Sequence, residues 1–253
     1  MSYTKSAYTT VKSARIRWML LAFMAGTINS GGFLACGRWV THVTGFATFF
    51  GIDLVTGEYK LALSMLIVPM FFLLGSFVSG YLIDVRQAAK KEPRYDIVMS
   101  MISAALIFCA IGGSYGLFGI FAETNSIESD ISLLILLCFA SGLQNALITT
   151  SSGAVIRTTH LTGMTTDLGI GLAKNIARRR DPNAIKSQNE LVNNRIRSGI
   201  IVSFILGSAV GAYTFISFEY WGFLLPGAIA LYATRLVFRH KKMKSMEPIS
   251  EAV

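Results

Sequence analysis

Charged side chains are scarce in this chain: they make up 15% of its 253 residues, whereas hydrophobic residues make up 53%. A soluble domain carries about 25% charged residues, so the composition argues against a soluble globular enzyme. The high hydrophobic content also excludes intrinsic disorder, collagen and a coiled coil. Glycine-rich phosphate loops and ATPase signatures are missing, which argues against direct ATP coupling by this chain.

Cysteine and histidine are also rare, with three of each. Cys36, Cys109 and Cys138 lie in or at the edge of apolar stretches and show no metal-ligand spacing, so we interpret them as small packing residues. We therefore expect neither a metal nor another cofactor. No cleavable signal peptide is evident, because the N-terminus is polar up to Arg17 and the first apolar stretch has no clear small-residue cleavage site.

Long apolar stretches are abundant, and six of them reach the length of about 20 residues that a helix needs to cross a bilayer. This pattern predicts an all-α polytopic membrane protein with six transmembrane helices. Two further segments, about 44–57 and 162–173, are too short for an ordinary span and are predicted to be re-entrant half-helices. The predicted spans are residues 16–36, 61–83, 97–121, 131–151, 198–218 and 220–238.

Basic residues gather in four segments outside the spans: residues 1–17, 86–94, 174–197 and 235–244 hold four, four, seven and five of the 23. Cytoplasmic segments carry an excess of Lys and Arg, so six spans with both termini in the cytoplasm satisfy the pattern. Eight full spans would move one basic segment outside. We therefore expect a multi-pass protein of the inner (cytoplasmic) membrane, and we attribute the net charge of +9 to topology rather than to nucleic-acid binding.

The two halves of the chain contain an internal repeat. Residues 41–52 (THVTGFATFFGI) align with residues 159–170 (THLTGMTTDLGI), with seven identical positions of twelve. Each half reads as a span, a half-helix and two spans, and an odd number of spans predicts an inverted 3+3 repeat, as in many transporters. Two more matching pairs follow the same order: residues 26–29 with 142–145 and 74–78 with 206–210. The predicted units are an N-terminal tail, two membrane repeats and a basic C-terminal tail, over residues 1–17, 18–122, 131–238 and 239–253.

The repeated segments supply polar groups at mid-depth in the predicted membrane. Thr44 and Thr162 are predicted to be the N-caps of the half-helices, and Gly45 and Gly163 would let backbone or ligand approach closely. An extended arm over residues 37–43 would carry the first start to mid-depth. Two positive helix ends that face each other suit an anion, a carboxylate or a polarised carbonyl. The other interpretation is that both starts are simply capped and buried in protein.

Further polar side chains occupy equivalent positions in the two halves. His42 and His160 would relay protons, hydrogen-bond a solute or brace the arm, and a shared metal is disfavoured. Asn29 and Asn145 lie in full spans, where an amide either coordinates a polar solute or ties helices together. Asp167 is a proton or cation site if it faces a cavity. The predicted solute-binding set is Asn29, His42, Thr44, Gly45, Thr48, Asn145, His160, Thr162, Gly163, Thr166 and Asp167.

Basic and small residues near these motifs have structural interpretations as well. Arg38 and Arg157 precede the two histidines and would either attract anions or lock the arms. Arg157 or a nearby lysine would pair with Asp167 if the carboxylate lies in the last accessible turn. The small-residue stripes that begin at Gly75 and Gly207 predict close helix packing.

The motifs with the most specific pattern are RTTHLTG at 157–163, TDLG at 166–169, GLQNA at 142–146 and TG at 44–45. With them the chain resembles the YoaK-like family, bacterial membrane proteins built on a domain of unknown function. The resemblance extends over about residues 18–238 and implies a membrane protein without a settled substrate. An acidic residue is expected in the family where this chain has Asn29, so the departure argues against proton coupling at that position.

These features predict a transporter or channel for a small polar solute, preferably an anionic or carboxylate-bearing one, with a midplane site between the half-helix starts. The predicted partners are the lipid bilayer and the solute, and the chain is compatible with a homo-oligomer. A membrane sensor or assembly factor without transport activity is the alternative. An intramembrane protease is disfavoured, since Ser141 lacks a paired catalytic base and Phe139 stands where the serine motif would have glycine.

Overall fold

The computed structural model describes residues 2–123, 127–152, 161–180 and 190–246, with side chains described within 15–123, 131–152, 161–177 and 190–235. The described chain is α-helical, as the sequence predicts. Its elements are α1 (Ser2–Cys36), α2 (Val43–Val55), α3 (Tyr59–Gly80), a π-helical turn (Tyr81–Val85), α4 (Arg86–Ala88), α5 (Tyr95–Ser114), α6 (Ile127–Ser151), α7 (Leu161–Arg180), α8 (Glu190–Phe218), a 3-10 turn (Glu219–Phe223) and α9 (Leu224–Met246).

Helical segments of membrane-spanning length recur along the described residues. Five of them are long and apolar enough to cross a bilayer, which confirms the class of an all-α protein with several such helices. One of the five has 46 residues, about twice the length of a span, and the 3-10 turn divides it into α8 and α9. The five are Arg15–Cys36, Tyr59–Ala88, Tyr95–Ser114, Ile131–Ser151 and Glu190–Arg235.

The two helices predicted to be short differ in length. Helix α2 has 13 residues, so at 1.5 Å per residue it is about 20 Å long and too short for a hydrocarbon core of about 30 Å. Helix α7 has 20 residues and does not end at 173 as predicted. It continues through a polar segment to Arg180, because helical hydrogen bonds do not require the side chains to be apolar.

The connection between α1 and α2 is a compact turn, and the predicted extended arm is wrong. Gly37 turns the chain with φ of +63°, a conformation that suits glycine after a helix. The His42 N–H donates to the Trp39 carbonyl at 3.4 Å, and the Cys138 thiol donates to the Val40 carbonyl at 3.3 Å. An extended arm would leave such backbone groups unpaired in an apolar environment, which is costly.

The helices pack mainly as pairs that join the two halves of the chain. Helix α1 packs against α8, α3 against α6 and α5 against α9. The helices α2 and α7 instead pack on the helix that follows each of them, α3 and α8. When the two halves are exchanged, α1–α8 becomes α6–α3, α2–α3 becomes α7–α8, and α5–α9 becomes itself.

Glycines form the closest contacts in the first two pairs. A Cβ atom added at Gly207 of α8 would collide with the Phe23 carbonyl of α1, and one at Gly75 of α3 would collide with the Phe139 carbonyl of α6. These helices therefore approach backbone to backbone, which only a residue without a side chain allows. The packing role predicted for both small-residue stripes is confirmed at these two positions.

Serine hydroxyls strengthen the same two contacts. Ser208 donates to the Gly26 carbonyl at 3.4 Å, and Ser76 donates to the Gly142 carbonyl at 3.2 Å. Ser208 and Gly26 occupy positions equivalent to Ser76 and Gly142 in the repeat. Between the pairs lies an apolar core in which Ile28, Ile102, Leu106, Leu137 and Ala230 are fully buried.

Large apolar side chains cover the outer faces of α3 and α8. This surface matches the hydrocarbon of a bilayer, because soluble proteins rarely expose so much contiguous apolar area. The exposed side chains include Leu63, Leu66, Met70, Leu73, Phe77, Val202, Ile205, Leu206, Tyr213 and Ile216.

Candidate functional site

Asn29 ties the turn before α2 to helix α1. It is 9% exposed, and its Oδ1 accepts a hydrogen bond from the Thr41 hydroxyl at 2.9 Å. Of the two roles left open for this amide, the contact matches the one that holds structural elements together. Its equivalent Asn145 is half-buried in α6, and the Asn145 carbonyl accepts a hydrogen bond from Thr149 at 2.8 Å.

The N-cap of α2 is His42, and the N-cap predicted for Thr44 is wrong. The Gly45 N–H donates to the His42 carbonyl at 2.9 Å, so the helical hydrogen bonds begin before Thr44. The half-buried His42 ring makes no capping hydrogen bond and lies edge-on to Trp39, with 6.1 Å between the ring centroids. Thr162 is likewise inside α7, since the helix already includes Leu161.

The repeated threonines form equivalent hydrogen bonds inside their own helices. The Thr48 hydroxyl donates to the Thr44 carbonyl at 3.2 Å, and the Thr166 hydroxyl donates to the Thr162 carbonyl at 2.9 Å. Each bond uses the hydroxyl proton and leaves the oxygen free to accept. All four side chains are exposed, so a ligand could reach two hydroxyl oxygens near each helix start.

The glycines after the first threonine of each motif leave space around the backbone. A Cβ atom added at Gly163 would meet no other atom within 4 Å, and one at Gly45 would lie 3.7 Å from the Trp39 ring. Gly163 is exposed and Gly45 is half-buried. The predicted site residue His160 and the neighbouring Arg157 lie outside the described residues.

Arg38 places a positive charge beside α2. Its guanidinium carbon lies 4.1 Å from the centroid of the Phe49 ring, and one terminal nitrogen donates to the Gly37 carbonyl at 3.2 Å. The buried Nε has no hydrogen-bond partner in the described part of the chain. The cation–π contact favours locking of the turn.

Asp167 is exposed on α7, and its backbone carbonyl is held from α8. Arg197 donates from one guanidinium nitrogen to this carbonyl at 3.2 Å, to Glu190 at 3.1 Å and to the Asn194 side-chain oxygen at 3.0 Å. The sequence assigned Arg197 to topology alone. Its contact with α7 depends on how two separate helices pack, and no motif in the sequence predicts it.

Asp53 of α2 is a candidate functional residue that the sequence analysis missed. It is 7% exposed, and its Oδ2 has no hydrogen-bond partner among the described residues. The available signal was a single acidic residue in an otherwise uncharged helix. Asp53 aligns with Gly171 when the repeat is extended by one residue. It is therefore not a polar residue that both halves share, which was the pattern that indicated the other site residues.

Metal ligands or a cavity could also mark a functional site. Among the described residues, no group of three metal-ligating side chains comes together. A cavity of about 320 Å³ lies between the end of α5 and the 3-10 turn, lined by Ser114, Glu219 and Trp221 among others. The cavity contacts none of the predicted site residues, so it does not contribute to that site.

Helices of membrane-spanning length, joined through small-residue contacts, define this chain as an α-helical membrane protein. Residues 18–236 match the family described as protein of unknown function (DUF1275). The chain belongs to this family, which is the YoaK-like family, so the resemblance stated from the sequence is confirmed. Comparisons with curated proteins and with solved structures found no match.

Proposed function

We propose that this protein is a transporter or channel for a small anionic solute, with six spans in an inverted repeat and a site at the starts of α2 and α7. The observation that carries the proposal is the equivalence of packing in the two halves: α1 with α8 corresponds to α6 with α3, and α2 with α3 corresponds to α7 with α8. Duplicated halves with an odd number of spans have opposite orientations, and this arrangement is typical of transporters.

The geometry of the first hairpin supports a re-entrant α2. Residues 56–58 join α2 directly to α3, and the two helices pack together, so they run antiparallel. If α3 begins at one membrane face, the start of α2 lies about 20 Å below that face, because the helix rises 1.5 Å per residue. That depth is near the middle of a bilayer with a core of about 30 Å.

The second hairpin supports the same arrangement for α7. Asp167 lies beside Arg197, and Gly171 lies beside Asn194. The contacts therefore advance along α7 while they go back along α8, as they do between antiparallel helices. The start of α7 would then lie deeper in the bilayer than the contact with Arg197.

The charge and hydrogen-bonding groups at the start of α2 support an anionic solute. The His42 side chain does not cap the helix, so the first-turn N–H groups are not used by that ring. The positive end of the helix dipole and the Arg38 guanidinium add to the attraction for an anion. The exposed threonines could orient such a solute through hydrogen bonds.

The proposal is tested with purified protein in liposomes. Valinomycin carries potassium, a protonophore equilibrates protons, and light scattering records the swelling that follows entry of potassium formate, acetate or lactate. We expect faster swelling than in protein-free liposomes for at least one salt. Swelling that equals the protein-free rate for all three anions contradicts the proposal and favours a sensor or assembly factor.

A matched pair of variants locates the site. Gly163→Leu places a side chain at the start of α7, and Gly169→Leu places the same side chain farther along that helix. A Cβ atom meets no atom within 4 Å at either position. We expect Gly163→Leu to slow the flux at least about tenfold, equivalent to about 1.4 kcal/mol, and Gly169→Leu to leave it nearly unchanged. Equal rates in both variants would exclude a site at this helix start.

A further inference from the structure

We propose that Asp53 is a proton-binding site through which solute flux is coupled to proton movement, an inference that rests on the proposed transport function. Asp53 is buried, with 7% of its surface exposed, and its Oδ2 has no hydrogen-bond partner in the described residues. A buried polar group without a hydrogen-bond partner is costly, and its presence needs an explanation. The proposed hairpin places Asp53, two residues before the end of α2, close to a membrane face, from which a proton can reach it.

Within the described residues, Asp53 forms no ion pair. Its face of α2 carries Phe46 and Phe49, at the helical spacings that place side chains together. Helix α3, on which α2 packs, buries Ala62 and Met65 and has no ionisable residue from 61 to 80. The ion pairs described in the chain are formed by Arg94 with Asp96 and Arg197 with Glu190.

Five ionisable groups, His42 at the N-cap included, lie near the two ends of α2, and none of them forms an ion pair with Asp53 in the described residues. Glu58, Tyr59 and Lys60 follow α2 in the turn and the first turn of α3, and all three are exposed. Arg38 lies over Phe49, one helical turn before Asp53, and one of its terminal nitrogens donates to a backbone carbonyl. A proton from water is therefore the simplest group that can neutralise Asp53.

The second hairpin has an uncharged polar side chain, Asn194, at the level where the first has Asp53. Asp53 aligns with Gly171, and Ala62 aligns with Asn194. The Asn194 side chain fills the space where a Cβ atom of Gly171 would lie, and the Asn194 amide nitrogen is also buried without a partner in the described chain. Each hairpin thus contains one buried polar side chain at this level. An amide is sufficient for packing in the second hairpin, whereas the carboxyl of the first can also change its charge.

The chemistry of the step is proton binding and release. A proton from water forms an O–H bond at a carboxylate oxygen, which cancels the negative charge and lets α2 stay packed against α3. Release breaks that bond and restores a buried charge, which favours hydration of the α2–α3 contact. Protonation of Asp53 also removes the repulsion that its carboxylate would exert on an anionic solute at the start of the same helix. Proton and anion would therefore move together.

The test compares Asp53→Asn with the control variant Glu58→Gln, which changes an exposed acid in the turn that follows α2. Liposomes that contain a pH-sensitive dye report proton entry during uptake of the anion that gave swelling. In the wild type and in Glu58→Gln, we expect an imposed pH gradient to drive uptake. In Asp53→Asn, we expect this drive to be lost while downhill flux continues. A pH-driven uptake in Asp53→Asn equal to that of the wild type would overturn the proposal.

A second readout does not depend on transport. Infrared difference spectra of the purified full-length protein, recorded between acidic and neutral pH, should contain a carboxyl C=O band that is absent from Asp53→Asn and present in Glu58→Gln. If Asp53→Asn does not fold, Asp53→Ser replaces it with a smaller neutral side chain. An unchanged spectrum contradicts proton binding at Asp53 even if transport is observed. Absence of flux in the wild type contradicts the transport function while the spectrum still tests Asp53.

Discussion

Gly207 and Gly75 show how single residues determine the spacing of the helices. In both cases the position of a Cβ atom is occupied by a backbone carbonyl of the neighbouring helix, which cannot move aside as the end of a side chain can. Gly51 has no atom within 4 Å of its Cβ position, although it is also a glycine in an apolar helix. The sequence predicted the packing stripes, but it did not distinguish glycines in contact from glycines in open space.

We expect Gly207→Ala and Gly75→Ala each to lower the free energy of unfolding by about 1–3 kcal/mol, the cost of an added methyl group in a tightly packed contact. Gly51→Ala should instead be neutral or stabilising by up to about 1 kcal/mol, because alanine favours the helix more than glycine does. Thermal unfolding in detergent measures all three. A loss of stability in Gly51→Ala as large as in the other two would show that the helix contacts are not the cause.

The hairpins α2–α3 and α7–α8 differ in the chemistry of their contacts. In the first, α3 contributes the apolar side chains Ala62 and Met65, both of which are 2% exposed. The second has Asn194 and Arg197 at the equivalent positions of α8, and Arg197 holds α7 by a hydrogen bond to a backbone carbonyl. A polar contact can exchange its hydrogen bonds for bonds to water, so it opens at a lower cost than an apolar contact of the same size.

Replacement of the α8 side chain tests this difference. Arg197→Met gives α8 the residue that α3 has at the equivalent position, and it removes the hydrogen bonds to Glu190, Asn194 and the Asp167 carbonyl. We expect backbone amides of α7 to exchange with deuterium faster than in the wild type, with no change in α2. Met65→Leu is the control, because it conserves an apolar contact. Equal exchange of α7 in Arg197→Met and the wild type would mean that Arg197 does not hold this helix.

At the scale of the whole molecule, the pairs α1–α8 and α3–α6 make each half of the chain depend on the other. Neither half contains both partners of either pair, so the glycine contacts form only when the two halves are assembled. The pairing agrees with the duplication detected in the sequence. The sequence did not predict which helix of one half contacts which helix of the other.

Cysteine accessibility tests the proposed topology. Glu58→Cys and Lys174→Cys introduce a thiol at two exposed positions, while the three native cysteines are buried and should give little background. We expect a membrane-impermeant maleimide, added to intact cells whose outer membrane has been made permeable, to label Glu58→Cys. Lys174→Cys should react only after the inner membrane is opened. Labelling of both thiols, or of neither, before that step would contradict the inverted arrangement.

The sequence by itself determined the helices of spanning length, the short α2 and the membrane family, because apolar length, local composition and motif spacing are properties of neighbouring residues. It also located the repeated threonines and glycines. Tertiary structure decided that Asn29 binds Thr41, that Arg197 holds α7 and that Asp53 is buried. These features depend on contacts between segments distant in the chain, and such contacts arise only when the helices pack against one another.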